Sequence, residues 1–294
     1  MVSVPPYAPH DEVRRQPYCP GVTRHRIPMG QLDLGRLSNM RQVVDMSWAR
    51  ADRVMDSDVG QILTARRMDE AQIAGTRVYI GAHAQLLNAM DNLDGLWALL
   101  QHHGATTWAP WNLLRPAFEA AFRALWVLEP TEGLTRRQRG LRLEVINYVQ
   151  RLNHLHELVA IPGLSKLVGE EIARSHADVE SVYRREGVAL GLTYGQARQE
   201  INVVDELRRL DATKALGPDS VAMVPACWRV LSGSQHGFPY AVLQNSDIEV
   251  QAPVPGGQRV LASMKDQAFE SHTSVTLWLV WQACDRLTDR CTRP

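Results

Sequence analysis

Apolar residues recur at intervals of three and four along most of the chain, the spacing that places them on one face of an α-helix. Ser38 opens such a stretch to about Asp56, with Met40, Val43, Val44 and Trp48 on one side. Asp58 is placed to cap a helix from Val59 to about Ala74. From Thr76 to His103 the pattern is strongest, through Ile80, Leu86, Leu87, Met90, Leu93, Leu96, Trp97 and Leu100, and Gly104 ends it. Residues 106–129 form a further helix with Pro116 in a first turn or at a kink. Pro130 stops it, and Thr135 caps a basic helix running to Val159. Shorter periodic stretches cover 163–187, 193–210 with Thr193 as cap, and about 220–235. The last, about 263–289, is apolar almost all round between Leu277 and Trp281 and should be central.

Two regions break this period. Residues 1–35 carry Pro5, Pro6, Pro9, Pro17, Pro20 and Pro28 and read as an extended arm around the domain or a partner. Residues 241–262 alternate β-branched and polar positions on both sides of Pro255-Gly256-Gly257 and read as a short β-hairpin. The expected fold is therefore mainly α: a multi-helix bundle with a Pro-rich N-terminal arm and one hairpin, with residues 36–294 as a single helical domain.

Composition changes this picture little. Of 294 residues, 45% are hydrophobic and 22% charged, enough to bury a core. Thirty-two basic residues balance 32 acidic ones, which argues against a dedicated electrostatic nucleic-acid binder while leaving room for a local basic face. Only Lys166, Lys214 and Lys265 are lysines, a bias that fits a GC-rich genome. Cys19, Cys227, Cys284 and Cys291 form no C-x-x-C, so neither a zinc site nor a disulfide framework is indicated. The first residues lack the apolar core of a signal peptide, and the most apolar run, Val275–Cys284, is too short to span a bilayer. A cytoplasmic location, no membrane association, no metal and no cofactor are expected.

Candidate chemistry gathers in Pro225–Tyr240, PACWRVLSGSQHGFPY. On a helix Arg229, Ser232 and His236 lie within about 60° of one another. Gly237 is placed as the residue past the helix end and Pro239 as a stop, so His236 sits in the last turn, where the helix dipole favours an imidazolium. A second constellation is Arg115, Glu119 and Arg123, repeating every four residues beside Phe118, Phe122, Leu125 and Trp126. Such charges next to so much aromatic surface must be paired. They read either as a structural ion-pair ladder or as a second wall of the site, with Glu119 orienting His236 or Arg229 and Arg115 and Arg123 adding positive charge. Arg136, Arg137, Arg139, Arg142 and Arg151 could form a nucleic-acid or acidic-partner patch, but a solvated face is favoured, because Glu144 and Glu157 interleave. Asp91 and Asp94 share a face without a histidine at ligand spacing, and His154 and His156 diverge on a helix. No G-x-G-x-x-G, P-loop, G-x-S-x-G, H-E-x-x-H or E-x-x-H occurs.

Arg229 and His236, separated by VLSGSQ, resemble the R-x(4–6)-H signature of the HEPN superfamily of helical domains, which includes metal-independent endoribonucleases, toxins and abortive-infection proteins. The resemblance covers residues 76–290 in architecture and two residues in signature. It departs from the pattern at Val230, where active members usually carry a polar residue, and at Gly233. It implies RNA as substrate, a site formed where two subunits meet, and hence a homodimer. His236 would act as general base or acid, Arg229 would neutralise the phosphorane, Ser232 would hydrogen-bond the phosphate, and Glu119 would orient. The rival reading is a non-enzymatic interaction protein, in which Arg229, His236, Arg115 and Glu119 form a buried structural network and the arm or the hairpin binds a protein partner. The two diverge at His236: exposed beside Arg229 in the first, buried and hydrogen-bonded in the second. A third reading places a small apolar ligand among the tryptophans.

Overall fold

The computed structural model describes residues 34–56, 63–104, 107–161, 163–254 and 257–294. The expected arm lies outside the described residues, except that Leu34 and Gly35 already belong to the first helix. The elements are α1 (Leu34–Asp56), α2 (Ala65–Glu70), α3 (Gly75–His103), α4 (Ala109–Leu128), α5 (Gly133–Val159), α6 (Ser165–Ala189), α7 (Tyr194–Ala197), α8 (Val203–Arg209), α9 (Asp211–Ala215), α10 (Pro218–Gln235), α11 (Pro239–Asn245), β1 (Ser246–Val254), β2 (Gly257–Met264) and α12 (Asp266–Thr292). The fold is mainly α, a multi-helix bundle with one antiparallel hairpin.

Helix α4 is the hub, packed between α3, α12 and α10. Thirteen of its 20 residues are buried, so it has almost no solvent face. Phe118, Phe122, Leu125 and Trp126 are sealed in, each worth about 1.5–3 kcal/mol of burial. Pro110 takes the first-turn position, which leaves Pro116 inside the helix instead of at its start. Helix α1 lays Leu37, Val44 and Ala51 against α12. A second, smaller core joins α5, α6 and α7 through Leu141, Val145, Tyr148, Tyr183 and Leu190.

Several expectations are corrected. On α3 the core stripe runs through Val78, Tyr79, Ala82, Leu86 and Ala89, while Ile80 and Leu87 are 66% and 48% exposed. Small residues at 82 and 89 suit close packing against α4. The expected 59–74 helix is described only from Leu63 on, and there it is a short helix capped by the Thr64 side chain and closed after Glu70. The 193–210 stretch divides: Thr193 and Gln196 make a reciprocal capping box around four residues, and Asn202 caps α8 afresh. Residues 239–245 are helical, so the hairpin begins at Ser246, pairs Ile248 with Ala262 and Val250 with Val260, and carries a bulge between Val250 and Ala252. Helix α12 buries Leu277, Leu279 and Val280 but leaves Trp281 38% exposed, so it is not apolar-buried all round.

The basic face of α5 is also revised. Arg136 is buried on Asp69; Arg139 and Arg142 lie over the Trp126 ring at 4.9 and 5.4 Å. Arg137 donates to the Ile73 carbonyl and Arg151 to Glu171. Arg136, Arg139 and Arg142 are thus spent inside the protein, and burial holds the Arg139 and Arg142 pKa values below the usual guanidinium range, whereas Arg151 stays exposed on a surface pair. Asp94 pairs with Arg41. Among the described residues no helix is long and apolar enough to cross a membrane.

His272 on α12 donates from Nδ1 to the Ala268 carbonyl at 2.6 Å and lies edge-on to Trp111. Burial depresses its pKa below the ordinary 6.5, more than the carbonyl contact raises it. The folded value lies below the unfolded one, so this group's contribution is complete above about pH 6.5 and is lost as pH falls below it. Unfolding free energy measured by urea titration should therefore fall as pH is lowered through and below about 6.5, and His272→Gln should shrink that fall. An identical drop in both proteins would contradict it.

Candidate functional site

The site grows from the way α10 ends. His236 is the cap residue, the Gly237 N–H donates to the Ser234 carbonyl at 3.2 Å, and the Phe238 N–H to the Gly233 carbonyl at 2.9 Å. This pair of bonds is the Schellman arrangement, and it needs a left-handed residue, supplied by Gly237 at φ 70°. Pro239 does not merely stop the chain: it starts α11, where its missing N–H costs nothing. Helix α11 then folds back on α10. The Tyr240 hydroxyl donates to the Arg229 carbonyl at 3.2 Å. Gly233 makes this approach possible, since a Cβ there would lie 2.4 Å from that hydroxyl. Gly233 is thus the seat of a tyrosine.

Arg229 and His236 are both exposed, two turns apart on α10, and neither side chain has a hydrogen-bonding or ionic partner among the described residues. Ser232 lies between them, half-buried. The His236 ring sits 5.8 Å from Phe238, and Phe238 stacks on Tyr240 at 6.1 Å with planes 24° apart. Phe238 is 50% and Tyr240 47% exposed.

The α4 ladder meets this helix from the side. Arg123 donates to Glu119 Oε1 at 2.5 Å and Arg115 to Glu119 Oε2 at 3.0 Å. Arg115 also donates to Gln235 Oε1 at 2.7 Å and covers the Trp228 ring at 5.3 Å. Both Glu119 oxygens thus face arginines of its own helix, and neither Arg229 nor His236 is among its partners. Arg115 thus meets α10 twice, over the Trp228 ring and by its hydrogen bond to Gln235, one residue before His236. The structure therefore brings Arg115 to the last turn of α10, keeps Arg123 at the ladder's outer end, and uses Glu119 to hold both. Two arginines against one glutamate leave the ladder with one excess positive charge.

Sequence reasoning missed Gln235, Trp228, Phe238 and Tyr240. The signal was present in the last two: aromatic residues flanking a proline just past a helix end, in a segment too short to form a core of its own. A separate cavity of about 360 Å³ lies between α3 and α5. There Arg77 binds Glu186 through two bonds and also Glu144, and from outside the cavity Tyr183 donates to Glu144 at 3.1 Å. Burial and the Glu144 carboxylate push the Tyr183 hydroxyl well above its ordinary range, so it stays a donor. The charged groups of that cavity pair with one another.

Compared with known proteins, the chain matches no family, no curated protein and no solved structure.

Proposed function

We propose that the protein is a metal-independent endoribonuclease that works from the end of α10. The observation that carries this reading is the exposure of Arg229 and His236 together, with no partner among the described residues. Charged or titratable groups held out of the core on one helix edge are available to a phosphate. In the proposed step His236 takes the proton of a ribose 2′-hydroxyl. The 2′-oxygen bonds to phosphorus and the bond to the 5′-oxygen breaks, giving a 2′,3′-cyclic phosphate and a 5′-hydroxyl after that oxygen is protonated. Arg229 balances the charge gathering on the phosphoryl oxygens, and Ser232 donates a hydrogen bond to one of them. Arg115, clamped by Glu119, positions the last turn through Gln235 and adds positive charge beside it. The site is completed in a homodimer.

Incubating the purified protein with RNA tests this. His236→Ala should lower the cleavage rate by about 10²-fold or more with the circular dichroism spectrum unchanged. Equal rates would remove the mechanism.

A second reading has its own support. The Arg115–Glu119–Arg123 ladder is satisfied largely within the protein, as in a structural network, and a non-enzymatic interaction protein would need nothing more of it. On that reading His236→Ala is silent in any RNA assay.

A further inference from the structure

We infer that Phe238 and Tyr240 form a stacking platform for an unpaired base of the RNA bound at this site, a proposal that rests on the reading above. Two aromatic rings lie half in water, with planes 24° apart, and the His236 ring continues the row. Rings that served only the core would be turned inward. These face out, and the Tyr240 ring is tied down by its hydroxyl while Phe238 is placed by its backbone. The Tyr240 hydroxyl is tied to the Arg229 carbonyl, its ring end occupies the space left by Gly233, and the Phe238 amide is held by the helix cap. A surface ordered before binding loses little entropy when a ligand stacks on it.

The neighbours decide what that ligand is. The His236 ring lies beside Phe238, and Arg229 is the exposed residue whose carbonyl receives the Tyr240 hydroxyl, so the patch adjoins flat apolar faces to an imidazole and a guanidinium-bearing residue. A nucleotide offers both counterparts: a π-face for the rings and a phosphate for the guanidinium. An apolar protein partner would satisfy the rings but bury Arg229 without an anion, which costs free energy. Bases within a duplex already stack on each other and show their faces to no side chain, so the platform selects single-stranded RNA.

The test uses the full chain and a short fluorescent RNA with 2′-O-methyl riboses, which lacks the attacking hydroxyl and so reports binding alone. Anisotropy titrations compare the single strand with its duplex. Phe238→Leu keeps apolar bulk but removes the ring face, and it should weaken single-strand binding by roughly 5- to 100-fold. Phe238→Trp should retain it, and the duplex should bind weakly to every variant. Unchanged melting of each variant shows that the fold survives. Single-strand affinity equal in wild type and Phe238→Leu, or duplex affinity equal to that of the single strand, overturns the platform. Cleavage of unmodified RNA separates the two ideas: ring-dependent binding without cleavage overturns the nuclease alone, and cleavage with ring-independent binding overturns the platform alone.

Discussion

Arg136→Met should destabilise the fold by about 3–5 kcal/mol, because it strands a carboxylate in the core. Arg136 and Asp69 are each 3% exposed. Nε of Arg136 donates to Asp69 Oδ2 at 2.7 Å, and the Tyr79 hydroxyl donates to the same oxygen at 2.7 Å. Burial first, then that carboxylate, hold the Tyr79 hydroxyl protonated far above its ordinary range, so Tyr79 cannot exchange roles with the lost arginine. Arg136 also donates to the Pro130 and Thr131 carbonyls at 2.8 and 2.7 Å, and Arg290 donates to those of Leu128, Glu129 and Pro130. The two cations close the carbonyl end of α4, where the helix dipole is negative. Urea unfolding of the single variant measures the loss. The double variant Asp69→Leu/Arg136→Met should recover a large part of it, since the penalty belongs to the unpaired charge more than to the missing bridge. A single-variant loss below about 1 kcal/mol would mean the pair is not sealed from water.

Trp126→Ala should cost a comparable 3–5 kcal/mol, about the usual figure for deleting a buried indole. The side chain is 1% exposed, and its Nε1 donates to Glu206 Oε2 at 2.7 Å, which binds α8 to α4. Its outer face carries Arg139 and Arg142, and Arg139 further donates to the Trp126 carbonyl at 2.6 Å. Removing the ring leaves a cavity, an orphaned Glu206 contact and two guanidinium groups without their platform. Trp126→Phe separates these effects: it keeps most of the packing and loses chiefly the hydrogen bond, for about 1–2 kcal/mol. Thermal and urea unfolding of both variants check the order. Equal losses would place the whole effect in the hydrogen bond.

The long helices were legible because their period is sustained: α3 and α4 begin and end within a few residues of where their apolar spacing puts them. What failed was punctuation. Pro239 reads equally as a stop or as a first-turn residue, and only the fold-back of α11 decides. Thr193 announces a helix truly, yet nothing local says that it closes after four residues. Arg136, Arg139 and Arg142 of α5 were misjudged for another reason. Neighbouring glutamates suggested a wet face, but the partner of Arg136 lies 67 residues away, and local pattern is blind to such pairs. Likewise the spacing of Arg115, Glu119 and Arg123 disclosed a ladder, while its link to Gln235, 120 residues on, required the fold. Exposure of Arg229 and His236 was posed by the sequence as a question and answered only by the packing of α10.

Helix α12 lies against both α1 and α4, yet the chain must run from Leu128 to Asp266 before it appears. During translation the first half therefore leaves the ribosome with its greasiest surfaces uncovered. Bridging so long a stretch costs only slightly more entropy than bridging a short one, but it is slow. Until α12 arrives, the faces of α1 and α4 that it covers stay open to contacts with other chains.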